Sequence, residues 1–181
     1  MVSEGQDGKP HCAPMGPVVD EALRTWLLRP FQSSQTFQNL RRNSRCAFHV
    51  TDDVRLIVDL VLGGNPDLEF EWCEDVWILK TACQWYHLKI QKWDTSSPRS
   101  EARASLISRG DMRPFWGWNR AKHAVLEATI LVTRLHLLDQ EFVEQEFERL
   151  ESPIEKTAGE SELDAWSMLR NHLAGYDWSG Q

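Results

Sequence analysis

The hydrophobic and polar positions of this chain follow one rhythm up to about Gly110 and another beyond it. From Val18 to that point, short β-branched or aromatic runs are separated by Gly, Pro, Asn, Asp and Ser, the punctuation of a β protein. The pattern predicts strands at 21–28, 46–51, 77–81, 85–93 and 103–109. Between Gln84 and Trp93 the alternation places Trp85, His87, Lys89 and Gln91 on one face and Tyr86, Leu88, Ile90 and Lys92 on the other. The segment DTSSPRS, Asp94 to Ser100, is a turn by composition, so the strands beside it should pair as a hairpin. Two short helices, at about 35–42 and 53–62, interrupt the strands. Short antiparallel strands of this kind build a small barrel or sandwich.

After the aromatic, Gly- and Pro-containing stretch DMRPFWGWN, Asp111 to Asn119, the period becomes helical. Ala121, Ala124, Val125, Ala128, Leu131, Val132 and Leu135 recur at steps of three and four, an apolar stripe on a helix that Asn119 caps. Asp139 opens a second helix running to about Glu151 and Ser161 a third, with KTAGES as the linker between them. The fold class is therefore mainly β with C-terminal helices (α+β): a β core over residues 1–118 and a three-helix region over 119–181, packed on the core or on a partner. Trp116 and Trp118 are expected to fill core space.

Composition narrows the function classes. With 181 residues, 41% of them hydrophobic, the chain can bury a core without disulfides or structural metal. Its longest apolar stretches fall far short of the ~20 residues of a membrane span. The polar start MVSEGQDGKP lacks the features of a signal peptide, which points to the cytoplasm. Cys12, Cys46, Cys73 and Cys83 form no C-x-x-C pair and read as reduced, mostly buried residues. A net charge of -7 argues against binding nucleic acid. That charge is uneven: residues 119–181 hold 12 acidic and 6 basic residues, against 15 and 14 in the first 118. From Ala22 to Val50 there is no acidic residue at all, while Arg24, Arg29, Arg41, Arg42 and Arg45 are present. Such a patch either faces solvent or receives a small anion.

The richest chemistry lies inside that window, in RPFQSSQTFQNLRR, Arg29 to Arg42. Pro30 ends a strand, Ser33 and Ser34 stand where a helix is capped, and Thr36 and Asn39 follow one turn apart. Free N–H groups, hydroxyls and arginines at a helix start make an anion site, and no carboxylate occupies the third position after either serine. The reading beside it is an ordinary capped helix. HCAPMGPV, His11 to Val18, offers a backbone fixed by proline and opened by Gly16, with Met15 as a soft surface, or else a buried turn. In NRAKH, Arg120 and Lys122 sit in a helix's first turn, where cations oppose the dipole. His123 and Glu127 lack further ligands for a metal. No G-x-S-x-G, Walker or G-x-G-x-x-G motif is present, so any reactive chemistry would belong to a cofactor.

Taken together, GKPHCAPMGPV, LRPFQSSQTFQNL, HVTDDV and WNRAKHAVLEATILVTRLHLL resemble a little-characterised family of FMN-binding split-barrel proteins, within the flavin reductase-like superfamily and known mainly from organisms that use methanopterin-type carriers. The motifs occur in this order over almost the whole chain. The resemblance implies a Greek-key split barrel that dimerises with itself and holds FMN at the subunit interface. Arg29, Ser33, Ser34, Thr36 and Asn39 would lie near the phosphate, Ala13, Pro14, Met15 and Gly16 along the isoalloxazine ring, and Asn119 and Arg120 at the closure of the site. It further implies an FMN-dependent oxidoreductase that takes hydride or electrons from a donor such as NAD(P)H or a deazaflavin. The acceptor would be small and pterin-like. The alternative is a non-catalytic dimeric scaffold with vestigial flavin. One departure is that only Met1 to Asp7 precede the Gly-Lys-Pro-His segment, where relatives carry a complete first strand, which predicts a weakened barrel edge.

Overall fold

The structure is a computed structural model that describes residues 1–180. The chain forms two compact units: Met1–Thr51 with Asp67–Phe115, and Asp52–Pro66 with the chain from Trp116 onward. These units differ from a cut at residue 118 by assigning 52–66 to the helical part.

The first unit is a seven-stranded antiparallel sheet made of β1 (Val2–Glu4), β2 (Pro10–Cys12), β3 (Val18–Val19), β4 (Thr25–Leu28), β5 (Arg45–Val50), β8 (Gln84–Asp94) and β9 (Glu101–Asp111). Two further strands, β6 (Phe70–Cys73) and β7 (Val76–Leu79), form a separate hairpin, and α1 (Gln35–Arg42) follows β4. The strand order is β2-β1-β5-β8-β9-β4-β3. β2 and β3, the two outermost strands, are consecutive in sequence and joined by residues 13–17 alone. So short a link spans at most about 20 Å, at ~3.3–3.6 Å per residue. The sheet must therefore curl until its edges nearly meet, and it is split along the line those residues cross. The expected weak first edge is instead occupied: β1 forms and pairs on both sides, Val2 opposite Cys12 of β2 and Ala47 of β5.

Alternation along β8 sets the two faces of this sheet. Tyr86, Leu88 and Ile90 point inward to a core with Trp26, Leu28, Leu40, Ala102 and Ala104. Trp26 packs 5.1 Å from both Phe48 and Tyr86, centroid to centroid. Leu88 is wholly buried, and its truncation to Ala should cost about 2–5 kcal/mol. On the other face, Trp85 and Ala47 pack against Val76 and Ile78 of β7. The two-residue turn of that hairpin, Glu74 and Asp75, has φ of 49° and 66°. Both lie in the left-handed region that glycine or asparagine usually fills.

The second unit packs α2 (Val54–Val61), α3 (Arg120–Val132), α4 (Gln140–Thr157) and α5 (Glu160–Ala174) around one core that includes Val58, Val125, Phe147 and Leu169. Asp53 caps α2 by accepting the Leu56 N–H at 3.0 Å, and Asn119 caps α3 by accepting that of Lys122 at 3.0 Å. The third C-terminal helix starts earlier than Ser161. Gly159 is its N-cap, and the Glu162 carboxylate accepts the Gly159 N–H at 2.8 Å, shrinking the linker to Ala158 and Gly159. Lys122 lies between Asp52 at 3.3 Å and Glu162 at 3.9 Å. Its unfavourable place in the first turn of α3 is thus offset by ion pairs inside the unit. Trp116 and Trp118 do not fill core space: they are 87% and 101% exposed on either side of Gly117, whose φ is 85°. No described helix is long and apolar enough to cross a membrane.

Candidate functional site

The start of α1 leaves hydrogen-bond donors free at the surface of the β unit. Ser34 is extended at φ -78°, ψ 149°; its hydroxyl donates to the Phe31 carbonyl at 2.7 Å and accepts the Phe37 N–H at 3.2 Å. The Gln35 and Thr36 N–H groups precede the first intrahelical bond and have no partner among the described residues. The Ser33 hydroxyl is also unpartnered and exposed. No acidic residue lies in the first turn, while Arg41 and Arg42 sit in the last, where they complement the dipole rather than cancel its positive end.

The hairpin turn between β8 and β9 holds this junction in place. Gln32 donates through its side chain to the Thr95 and Ser97 carbonyls at 3.0 and 2.7 Å, and its N–H reaches Pro98 at 2.9 Å. Buried Ser100 bonds the Pro30 carbonyl at 2.8 Å. Arg99, from the same turn, stacks over Phe31 at 5.5 Å and adds a cation that sequence reasoning missed. Only its pairing opposite Phe31 brings it here, and no local spacing carries that signal.

The other residues expected at the phosphate take distinct places. Arg29 is half exposed and pairs with Glu101 at 3.2 Å, a surface ion pair worth about 0–1 kcal/mol that a dianion could outcompete. Thr36 is buried. Asn39 is wholly buried and engaged by protein: it donates to Ser3 at 3.0 Å and accepts from Gln35 at 2.8 Å and Arg42 at 3.4 Å. It ties α1 to β1.

Ala13, Pro14, Met15 and Gly16 lie in the link across the split. Met15 packs against the barrel core, while Pro14 and Gly16 are exposed. A β-carbon built on Gly16 would meet nothing within 4 Å, and its φ is not in the left-handed range. Neither backbone nor packing requires glycine there. Asn119 and Arg120 belong to the helical unit. Asn119 is spent on its cap and on the Thr157 carbonyl at 3.3 Å, whereas Arg120 is exposed and lines a cleft of about 610 Å³ with His123 and Glu127.

The thiols are not poised for chemistry. Burial pushes Cys46 up to about 12 and raises Cys12 too, so neither supplies thiolate near neutrality. All four cysteines are free. His49 is held down to about 3, chiefly by burial; its Nε2 accepts the Leu79 N–H at 3.0 Å.

A curled antiparallel sheet, split between its two short edge strands and followed by helices, has the architecture of a split barrel. The N-terminal domain of a protein family of unknown function, DUF447, matches residues 1–111, and a second model of that family matches 119–171; the chain belongs to this family. No curated protein matches it. Among solved structures, the chain is similar to the FMN-bound protein MM1853 from Methanosarcina mazei, of the same family, at 23% identity and a TM-score of 0.78 over 94% of this chain and 92% of that one. The styrene monooxygenase flavin reductase of Pseudomonas putida aligns at 13% identity and TM-score 0.54 over 62% of this chain and 78% of its own. A flavin reductase domain protein from Arthrobacter aligns at 14% and 0.53 over 62% and 76%. At these identities the likeness concerns the fold.

Proposed function

We propose that this protein is an FMN-binding flavoprotein, noncovalent and homodimeric, that passes hydride or electrons from a reduced donor to a small, pterin-like acceptor. Shared family membership with an FMN-bound protein supports the cofactor. The observation that carries the reading is the start of α1, with two unpartnered N–H groups and the free Ser33 hydroxyl; Arg29, now paired with Glu101, would join them at a terminal phosphate. Ser34 shapes that turn and Asn39 anchors it. The link 13–16 would lie along the ring, with Gly16 open to contact.

When bound, the flavin supplies hydride acceptance and donation. The chain's own part is to fix the phosphate, orient the ring and exclude water, and no side chain is needed as a nucleophile. NAD(P)H or a deazaflavin is the donor class proposed. The test is a parallel titration of wild type and Arg29→Glu with FMN and riboflavin, read by flavin fluorescence. Arg29→Glu should weaken FMN about tenfold or more and riboflavin far less, because the charge acts through the phosphate. Equal losses for both ligands would contradict this assignment. A donor screen on the FMN-loaded protein then identifies turnover.

A further inference from the structure

On the outer face of the β unit, away from the α1 sequence, is a cavity of about 350 Å³ lined by Arg45, Glu74, Asp75, His87, Lys89 and Ile107. Its residues are arranged in ways that cost stability and that the fold does not otherwise use.

His87 is 3% exposed, and both of its ring nitrogens are buried with no hydrogen-bond partner. A buried imidazole without partners loses its hydration for nothing in return. Lys89, two residues along β8 and on the same face, has no partner among the described residues. It stands directly opposite Arg45 of β5 in the strand register, and like charges in that position repel. Among the described residues Asp75 pairs with Arg45, and Glu74 accepts from Ser108. Lys89, which is exposed, is left without an ion pair beside an unsatisfied histidine, while the two cations and two carboxylates of the lining balance in formal charge.

The backbone is adjusted around the same place. Opposite β8 the register slips between His87 and Leu88, which pair with Ser108 and Leu106, so Ile107 is the extra residue of a β-bulge and is 54% exposed at the cavity. Bulges re-aim side chains and occur often beside binding sites. Across the cavity, the left-handed Glu74–Asp75 turn positions its two carboxylates without glycine or asparagine.

We propose that this cavity binds the oxyanion group of a small ligand, a carboxylate or a phosphate, through Lys89 and Arg45, with the His87 ring N–H as a third donor and Ile107 as the apolar wall. The three groups line one cavity from two adjacent strands, Arg45 already ion-paired with Asp75, and the ligand would give the free Lys89 and the orphaned imidazole a partner together. Burial chiefly, then the Arg45 charge, lowers the His87 pKa, while Glu74 and Asp75 oppose the shift. The ring is thereby kept neutral, able to donate from one nitrogen and accept at the other. The site is independent of the flavin reading: its residues are none of those assigned to the cofactor.

The test is NMR of the histidine side chains in the purified full chain, with the His87 signal identified by its loss in His87→Gln. Acetate, inorganic phosphate and, as a control at equal ionic strength, chloride are titrated separately. A saturable shift of the His87 signal with acetate or phosphate and none with chloride is expected, at least tenfold weaker in Lys89→Gln, with the stronger of the two identifying the oxyanion. Lys89 is exposed, so that variant should fold even if His87→Gln does not, and in that case the one histidine signal that moves in wild type but not in Lys89→Gln serves as the readout. Absence of saturation with both probes, or the same curve in Lys89→Gln, would overturn the proposal. So would loss of the response on saturation with FMN, which would make this the flavin phosphate's site.

Discussion

The outer face of the barrel sheet has a covered part and an uncovered part, and a histidine in each. His49 on β5 lies where β7 closes over the sheet, and its ring accepts a backbone N–H from that strand. His87 on β8 lies beyond, beneath the β6–β7 turn, and has nothing to bond to. Both are at most 7% exposed, so burial alone does not distinguish them. What separates them is whether a neighbouring strand meets either ring nitrogen: the Nε2 of His49 is bonded while its Nδ1 is not, and neither nitrogen of His87 has a partner among the described residues. The first residue is a structural tie; the second is solvated by nothing the chain provides.

Removing the tie should have the largest effect. His49→Leu leaves the Leu79 N–H buried and unmet, at about 1–3 kcal/mol. It also alters acid sensitivity. The folded-state pKa of about 3 lies below the unfolded value of 6.5, so the unfolded chain takes up a proton first as pH falls. Stability contributed by the neutral ring is complete above 6.5 and is lost toward 3, on the order of 1.4 kcal/mol per pH unit. Chemical denaturation at pH 7 and pH 5 should show a smaller difference in His49→Leu than in wild type.

Gly110→Ala probes the same covered part by packing. The added carbon would sit 2.6 Å from the Trp85 indole nitrogen, a clash with a buried ring that cannot swing away, and a loss of about 1–3 kcal/mol is expected by denaturant melt. Gly16→Ala, where nothing lies within 4 Å, should melt like wild type yet weaken FMN binding. In the uncovered part the signs reverse. Asp75→Gly should raise stability by up to about 1 kcal/mol by relieving the left-handed turn. His87→Leu, which replaces unsatisfied polar atoms with apolar ones, should change stability least, by under about 0.5 kcal/mol in the absence of ligand. A loss there as large as that of His49→Leu would erase the contrast between the two regions.

Much of the architecture could be read from local pattern. α1 spans the residues that Pro30 and the serine pair predict, Asp53 and Asn119 cap the helices they precede, and the β8–β9 hairpin turns at DTSSPRS. β1, β2 and β3 could not be read, because strands of two or three residues carry no periodicity and exist only through their partners. The same limit hid Arg99 at the helix junction and the Arg45–Lys89 register, both products of pairing between distant segments. Trp116 and Trp118 misled for another reason: aromatic residues are usually buried, but nothing in a sequence says whether an inter-element loop offers a place to bury them. Asn39 was noticed for the right chemistry, and the structure shows that chemistry turned inward, toward Ser3.

The link from Ala13 to Pro17 works as a clasp. Because it fastens the two rims of the sheet, its length governs how wide the barrel gapes, while the interior side chains play no part in that choice. Adding one glycine after Gly16 would let the rims ease apart and removing a residue would draw them together, so the aperture is adjustable from a link of five residues, of which Met15 also rests on the core.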